Sequence, residues 1–232
     1  MARSEQLEQS CLCEVFVDSN PICPLCEGLA ALPYCRDKQR HYWQCERCQL
    51  VFVPASYHLS PAAELAEYQQ HENSFADAGY RQFLGRAAEP LLSRLEPASR
   101  GIDIGCGPAP VLAQMLSEAG HRCNYYDPLF FPEQQLQGQY DFITLTEVAE
   151  HLASPRCDLL SLKQYVAPGG WLLIMTKRVI NAERFARWHY KNDPTHISFY
   201  SDATLQWIAE YWGVAWRSEA SDVALFGPFD SI

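Results

Sequence analysis

The stretch GIDIGCGPAP, residues 101–110, joins a short apolar strand to a glycine-rich turn. Such a turn, placed between a strand and a helix, can bring backbone N–H groups against a ligand. The dinucleotide fingerprint G-x-G-x-x-G would start at Gly105 and need a glycine at position 110, where the chain has Pro110. The phosphate-loop pattern G-x-x-x-x-G-K-S/T is missing as well, because no such lysine follows. What remains is an acidic residue, a spacer and G-x-G, at Asp103, Gly105 and Gly107, which argues against a dehydrogenase and against a phosphate-loop enzyme.

Strands and helices alternate along the chain from residue 98 onward. The predicted strands are RGIDI, RCNYYD, YDFITLT and WLLIMT, and VAWRSE with SDVALFG forms a final antiparallel pair. The predicted helices are PVLAQMLSEAG, CDLLSLKQYVAPGG with its closing turn, and SDATLQWIAEYWG, which Ser201 caps. Two further helices, SPAAELAEYQQHEN and DAGYRQFLGRAAEPLLSRL, precede them. This alternation predicts a three-layer α/β fold with a mainly parallel sheet.

Seven of the ten cysteines lie in the first 48 residues, which marks a separate N-terminal module. Two Cys-x-x-Cys pairs, Cys23 with Cys26 and Cys45 with Cys48, can each place both sulfurs on one tight turn. Two such turns supply four thiolates to a tetrahedral zinc ion, and an all-cysteine set indicates a structural rather than a catalytic site. The segments HYWQC and QLVFV flank the second pair as predicted strands, so we expect a zinc ribbon. Less favoured ligands are Cys11, Cys13, Cys35 and His41.

The composition predicts a cytoplasmic protein with one medium-sized domain and a small module. The chain has 232 residues and a net charge of −10, which argues against broad electrostatic binding of nucleic acid. The polar start MARSEQLEQS lacks a signal-peptide core, and WLLIM is far too short to span a bilayer. Basic residues still cluster in one region, where they form either a solvated helix face or a patch for an anionic substrate group: Lys177, Arg178, Arg184, Arg187 and Lys191.

From about Tyr68 to its C-terminus the chain resembles the class I S-adenosylmethionine-dependent methyltransferases. The resemblance rests on IDIGCGPAPVLAQML, YYDP, YDFITLTEVAEHL, APGGWLLIMT and DPTHISFYS, in the family's order and spacing. It implies a Rossmann-like three-layer sandwich with S-adenosylmethionine as cofactor. Only PLFFPEQQLQGQY separates Asp127 from Asp141, so we expect the region around the third strand to be shortened and that strand to be missing or vestigial. The adenine would then lie against apolar side chains from Leu129, Phe130 or Phe131.

The same resemblance predicts three parts along the chain. Residues 1–58 form the zinc ribbon, and residues 59–97 form linking helices that cover the cofactor site. Residues 98–232 form the methyltransferase domain, with a lid insertion at 177–200. In many of these enzymes the region of the linking helices folds over the cofactor, although ordinary helix packing is the default role of its residues. The candidate contacts there are Tyr68, His71, Asn73 and Tyr80.

The resemblance assigns the cofactor contacts to the ends of neighbouring strands. In the family, the backbone of the G-x-G turn packs against the methionine and ribose parts, and the acid that ends the second strand grips the ribose hydroxyls. Here that acid is Asp127, whose alternative role is a turn residue before Pro128. The carboxyl ends of parallel strands meet at one edge of the sheet, which brings these residues together. The predicted cofactor-binding residues are Asp103, Gly105, Cys106, Gly107, Asp127, Pro128, Thr146 and Glu147.

The lid insertion supplies the candidate catalytic residues, because it follows a sheet strand and should overhang the methyl group. Histidine suits proton removal near neutral pH. The resemblance favours His196, since family members often place a histidine in the corresponding H-x-x-F stretch, and His189 is the second candidate. A structural histidine that bonds the lid backbone is the alternative role for His196. Glu150 and His151 are expected to begin or cap the next helix, with a direct catalytic role as the alternative.

The predicted function is methyl transfer by in-line displacement to a small-molecule acceptor that the sequence does not identify. Methylation of rRNA or tRNA, with the zinc ribbon docking the RNA, is the first alternative, although the net charge of −10 weighs against it. The second alternative is a non-catalytic module that docks a protein partner through an exposed Tyr42 and Trp43. The sequence predicts no membrane association and gives no signal of an oligomeric state.

Overall fold

The computed structural model describes residues 20–69 and 74–230 and contains two sheets. The strands in chain order are β1 (Ala31–Arg36), β2 (His41–Cys45), β3 (Val51–Phe52), β4 (Arg100–Ile104), β5 (Arg122–Tyr126), β6 (Tyr140–Thr146), β7 (Val166–Met175), β8 (Ser198–Phe199), β9 (Trp216–Ala220) and β10 (Val223–Phe226). The α-helices are α1 (Pro61–Tyr68), α2 (Ala78–Leu92), α3 (Val111–Glu118), α4 (Pro155–Asp158), α5 (Ala182–Ala186) and α6 (Asp202–Trp212).

The larger sheet has six strands in the order β5-β4-β6-β7-β10-β9. Its first four strands are parallel, and β10 and β9 join as an antiparallel pair. Alternate residues of each strand face opposite layers: Leu172 and Ile174 pack in the core that includes α6, whereas Leu173 and Met175 pack against α2 and α3. The predicted three-layer α/β sandwich is therefore confirmed. None of the described helices is long and apolar enough to cross a membrane.

The shortened region around the third strand is also confirmed. Strand β5 lies at the edge of the sheet, and the chain between Tyr126 and Tyr140 contains turns but neither a helix nor a strand. The segment after Asp127 therefore folds back over the end of the sheet instead of extending it. As a result, this segment can contribute to the wall of a site at the sheet edge.

One predicted helix is wrong in form. The segment CDLLSLKQYV does not make one α-helix, but divides into the four residues of α4 and a 3-10 helix at Leu160–Tyr165. The predicted turn APGG lies inside β7, which starts at Val166. The physical reason is strand pairing, because Val166 already pairs with Tyr140 of β6. The chain must leave the helical conformation at Tyr165 to make that pair.

The smaller sheet belongs to the N-terminal module, by which we mean residues 20–58, and has the order β1-β2-β3-β8. Strand β8 comes from the lid insertion, so the two parts of the chain share one sheet. The predicted exposure of Tyr42 and Trp43 is wrong, since these side chains are 0% and 2% exposed. Tyr42 packs edge-on against Phe185 and Phe199 of the lid, because the lid covers that face of the module.

Candidate functional site

A cavity of about 710 Å³ opens at the carboxyl edge of β4, β5 and β6. Its wall comes from the turns after these strands, from α1 and α2, and from the lid at residues 177–200. This volume lies in the range of small-molecule and cofactor sites. The cavity lining includes every predicted cofactor-binding residue: Asp103, Gly105, Cys106, Gly107, Asp127, Pro128, Thr146 and Glu147. Tyr68 and Tyr80 of the linking helices line it too, whereas His71 and Asn73 fall outside the described residues.

The glycine turn after β4 requires its glycines. Gly105 and Gly107 have φ values of 71° and 66°, in the left-handed region that side chains disfavour. A Cβ on Gly105 would also lie 2.4 Å from Cγ2 of Val148, which follows β6. The Gly105 amide donates to the Tyr126 carbonyl at 2.7 Å, so the turn is fixed to the end of β5. The backbone therefore approaches the cavity more closely than any residue with a side chain would allow.

Asp127 connects the glycine turn to the segment that replaces the third strand. Its Oδ2 accepts a hydrogen bond from the Gly107 amide at 3.0 Å. Its Oδ1 accepts from the amides of Leu129 and Phe130 at 2.9 and 3.2 Å, so Asp127 is a turn residue. A carboxylate has about four acceptor positions, so these three bonds leave room for a ligand hydroxyl. The turn role and the predicted ribose role are thus compatible.

Asp103 lies deeper in the same wall. It is 2% exposed and accepts a hydrogen bond at 2.7 Å from the Thr144 hydroxyl, on the neighbouring strand β6. Burial raises the pKa of Asp103 to about 7, with the hydrogen bond from Thr144 acting in the opposite direction. A buried carboxylate of this kind favours a hydrogen-bond donor or a positive charge in the adjacent cavity.

The segment after Asp127 supplies apolar lining, as expected. Leu129 and Phe130 line the cavity. Phe131 does not, since its ring packs edge-on against Tyr125 of β5 with 4.8 Å between centroids. The sequence therefore predicted an apolar wall after Asp127, and the structure assigns that wall to Leu129 and Phe130 but not to Phe131.

A second group of residues forms what we call the lid corner, at the end of β6 and on the lid: Glu147, Glu150, His151, Tyr190 and His196. Nδ1 of His196 lies 2.7 Å from the Tyr190 carbonyl oxygen, and Nδ1 of His151 lies 3.3 Å from the Thr195 carbonyl oxygen. A carbonyl only accepts, so both Nδ1 atoms donate. In the neutral rings, the lone pair is therefore on Nε2.

The expectation that Glu150 and His151 begin or cap the next helix is wrong. They lie in a 3-10 turn at Ala149–His151, and the N-cap of α4 is Ser154. This turn directs Glu150 inward, where it is 0% exposed and accepts a hydrogen bond from the Tyr190 hydroxyl. His151 lines the cavity, with its ring edge-on to Tyr68 at 5.3 Å.

Burial dominates the electrostatics of the lid corner. Burial, and then the charge of Glu150, raise the pKa of Glu147 to about 8. Burial raises the pKa of Glu150 as well. Burial, followed by the charge of His151, lowers the pKa of His196, so His196 is neutral near pH 7. Glu147 also has a φ of 54°, a left-handed conformation that costs free energy and directs its side chain at the cavity.

The lid is held by Arg40, a buried residue of the N-terminal module. Its guanidinium donates to the carbonyls of Lys191, Asp193, Pro194 and His196. These carbonyls belong to the loop that carries His196 into the cavity. The position of His196 therefore depends on a residue outside the central sheet.

Neither of the two roles considered for the basic cluster, a solvated helix face or a patch for an anionic substrate group, describes all five of its residues. Arg178 donates to Asp202 and to two carbonyls, and Lys191 is buried against Asp37 at 2.9 Å. Among the cluster, Lys177 alone lines the cavity. Arg184 and Arg187 are exposed, and so is His189, which does not contribute to the described cavity wall. The structure thus favours His196 over His189.

The four predicted metal ligands come together away from this cavity. Cys23, Cys26, Cys45 and Cys48 are buried, and their sulfurs all lie within 4.8 Å of one another. The two closest pairs are separated by 3.5 and 3.4 Å. A tetrahedral ion with Zn–S bonds of about 2.3 Å holds its sulfurs about 3.8 Å apart, so the donor set fits zinc. Cys35 and His41 do not belong to this cluster, and Cys11 and Cys13 lie outside the described residues.

The fold and the cavity define a class, namely Rossmann-like α/β enzymes that bind a nucleotide-type cofactor at the carboxyl edge of the sheet. The family model "Methyltransferase domain" matches residues 70–217, which is more than half of the chain. The chain therefore belongs to this methyltransferase family.

Solved structures similar to this chain are distant in sequence. The YcgJ protein of Bacillus subtilis is 15% identical, with 57% of this chain and 69% of that chain covered, and a TM-score of 0.42. Magnesium protoporphyrin IX methyltransferase of Synechocystis, solved with bound S-adenosylhomocysteine, is 12% identical, with 74% and 95% covered and a TM-score of 0.47. A comparison with curated proteins found no match.

Sequence reasoning gave Glu150 and His151 a direct catalytic role only as the alternative to helix capping, and it assigned no role to Tyr190 or Arg40. A signal existed for the first two, because Glu-His follows a predicted strand whose end lines the site. No local signal marked Arg40, since it acts on a loop more than 150 residues away in the sequence.

Proposed function

We propose that the protein transfers a methyl group from S-adenosylmethionine to a small-molecule acceptor. The observation that carries this proposal is one cavity that joins the eight predicted cofactor-binding residues to His196 of the lid. The cofactor would occupy the side formed by the glycine turn and Asp127, and the acceptor would occupy the lid corner. In this arrangement the methyl group faces the acceptor across the end of β6.

The charge of the cavity supports a small and non-polyanionic acceptor. Its described lining contains a single lysine or arginine, Lys177, and five acidic residues, of which burial raises the pKa of Asp103 and Glu147: the acids are Glu64, Asp103, Asp127, Glu147 and Asp193. An RNA strand carries one negative charge per phosphate and needs a basic surface. The RNA alternative is therefore disfavoured by the cavity as well as by the net charge.

The proposed reaction is an in-line displacement. Bound S-adenosylmethionine supplies an electrophilic methyl group on a positively charged sulfur. The nucleophilic atom of the acceptor bonds to the methyl carbon as the C–S bond breaks, and the electron pair of that bond stays on sulfur in S-adenosylhomocysteine. The chain's contribution is alignment and, for a nucleophile that bears hydrogen, proton removal at the lid corner. If His196 is the base, the neutral ring accepts the proton of the nucleophile through the lone pair on Nε2.

We further propose that the four-cysteine cluster holds a structural zinc ion. The two turns are alike, since Glu27 and Gln49 each follow the second cysteine of a pair and have φ values of 56° and 60°. All four ligands are buried thiols, which gives a closed site without room for a substrate. The buried positions of Tyr42 and Trp43 remove the surface on which a purely docking role was based.

The acceptor class can be tested with methyl-tritiated S-adenosylmethionine. The purified protein would be incubated with a cell extract, which is then separated into RNA, protein and low-molecular-mass fractions. We expect label in the low-molecular-mass fraction, resistant to ribonuclease and protease. Label that is confined to RNA or to protein would contradict a small-molecule acceptor.

A further inference from the structure

Three side chains of the lid corner are arranged as metal ligands. One carboxylate oxygen of Glu150 and one ring nitrogen each of His151 and His196 lie within 4.8 Å of one another. We infer that these three residues bind a divalent transition-metal ion beside the acceptor, next to the Glu147 carboxylate of the same lid corner. The role of this ion rests on the proposed function, whereas its binding does not.

Each of the two carboxylates in the lid corner has one buried oxygen without a hydrogen-bond partner in the part of the chain that the structure describes. Oε2 of Glu150 and Oε1 of Glu147 are buried and have no hydrogen-bond partner among the described residues. Neither residue forms an ion pair with a lysine or arginine in the described part of the chain. A buried carboxylate oxygen without a hydrogen-bond partner is costly. A cation bound at the lid corner would give Oε2 of Glu150 a partner and would add a positive charge near Glu147.

The histidines are already oriented for coordination. Protein-bound metals are commonly held by a histidine whose other ring nitrogen donates to a backbone carbonyl, which fixes the tautomer and the ring. His151 and His196 both do this through Nδ1, toward the carbonyls of Thr195 and Tyr190. The hydroxyl of Tyr190 in turn bonds Oε1 of Glu150 and orients that carboxylate. The supporting contacts of a metal site are therefore present.

The donor set indicates which ion fits. Two imidazoles and a carboxylate suit first-row divalent ions such as Mn²⁺, Fe²⁺, Co²⁺ or Zn²⁺. Ligands at about 2.1 Å from such an ion lie about 3 to 4.2 Å apart, so the three donor atoms, which lie within 4.8 Å of one another, would move closer together on binding. The four-cysteine cluster, by contrast, favours zinc over Mn²⁺, because thiolates are soft ligands.

A metal at this position would bind an oxygen atom of the acceptor. His151 and His196 line the cavity, so an ion that they bind has positions open to a ligand, while the buried Glu150 binds it on the side away from the cavity. A bound hydroxyl has a lowered pKa and loses its proton to solvent near neutral pH. The acceptor class is then an oxygen nucleophile, such as a phenol or catechol, and His196 serves as a ligand rather than as the base.

The test is a titration of the full-length, zinc-loaded protein with Mn²⁺, followed by electron paramagnetic resonance of the free ion. We expect one Mn²⁺ bound per chain. The variants Glu150→Gln and Glu147→Gln keep the side-chain volume, and each should weaken Mn²⁺ binding about tenfold or more. Glu133→Gln, at an exposed position outside the cavity lining, is the matched control and should bind as the wild type does.

Two results would overturn the inference: no saturable Mn²⁺ binding by the wild-type protein, or equal affinity in all three variants. If Glu150→Gln does not fold, the wild-type titration and Glu147→Gln decide the question. Binding of S-adenosylhomocysteine is measured on the same samples. Its absence, with Mn²⁺ binding intact, would contradict the proposed function and leave the metal site standing.

Discussion

The two sides of the cavity are built in different ways. On the cofactor side, Gly105, Asp127 and Glu147 each follow a strand of the central sheet, and hydrogen bonds between neighbouring strand ends fix them. In the lid corner, His196 lies on a loop that is held by Arg40 and by strand β8 of the N-terminal module. The proposed cofactor side is therefore positioned mainly by strand ends of the central sheet, whereas the lid corner also depends on a second folded unit. The N-terminal module thus supports the lid corner.

The largest expected effect on the structure comes from removing a proposed zinc ligand of the N-terminal module. Cys45→Ser removes one of four proposed zinc ligands, and structural zinc contributes on the order of 10 kcal/mol to the folding of such modules. Hydrogen exchange measured by mass spectrometry should show loss of protection across residues 41–52 and 191–199, with residues 102–106 protected as before. Cys157→Ser is the control, since Cys157 is exposed and free. Equal loss of protection on both sides of the cavity would contradict the claim that only the lid corner depends on the N-terminal module.

A smaller break is made by Arg40→Met, which removes the hydrogen bonds to four lid carbonyls while keeping the long side chain. The lost hydrogen bonds have a charged donor, and their removal leaves the lid carbonyls without partners. We therefore expect the free energy of unfolding to fall by ~3 kcal/mol. Urea unfolding measures it. Arg187→Met, at a side chain that is 74% exposed in a pair with Glu183, should leave stability unchanged. An unchanged midpoint for Arg40→Met would show that the loop is held by other contacts.

Two glycines with positive φ, Gly105 in the cavity wall and Gly120 outside it, distinguish the effect of backbone strain from that of steric contact. Gly105→Ala places a Cβ 2.4 Å from Val148, whereas Gly120→Ala meets nothing within 4 Å. Both substitutions carry the backbone cost of a left-handed alanine, of about 1 kcal/mol. We expect Gly105→Ala to be less stable by a further ~1–2 kcal/mol and to lose affinity for S-adenosylhomocysteine, with Gly120→Ala keeping that affinity. Equal behaviour of the two variants would mean that the turn adapts to a side chain.

The most gradual effect is the pH dependence that Asp103 contributes, which is small within any one pH unit and accumulates over about three pH units. Burial raises its pKa from 3.8 to about 7, so between these values the folded state retains a proton that the unfolded state has released. The stability contributed by Asp103 is therefore complete below about pH 4 and is lost as pH rises to about 7, by ~1 kcal/mol for each pH unit. Asp103→Asn should remove this slope. Identical profiles of unfolding free energy against pH for the two proteins would exclude the raised pKa.

The cofactor side could be predicted from the sequence because its signals are local. The strand-turn-helix pattern around Gly105 and the acid at Asp127 lie within short windows, and parallel strands bring such windows together by rule. The lid corner could not be predicted in the same way. Its support from Arg40 joins residues far apart in the sequence, and the burial of Glu150 depends on a 3-10 turn that no local pattern marks. The buried Tyr42 was mistaken for a surface residue for the same reason, since its cover comes from the lid.

The most direct test of the central claim is calorimetric titration of the full-length protein with S-adenosylhomocysteine. The account predicts one site per chain, with binding at least about tenfold weaker in Asp127→Asn, which loses a charged hydrogen-bond acceptor. Asp230→Asn, at an exposed position outside the cavity lining, should bind as the wild type does. No binding by the wild-type protein, or equal binding by both variants, would contradict the assignment of this cavity to the cofactor.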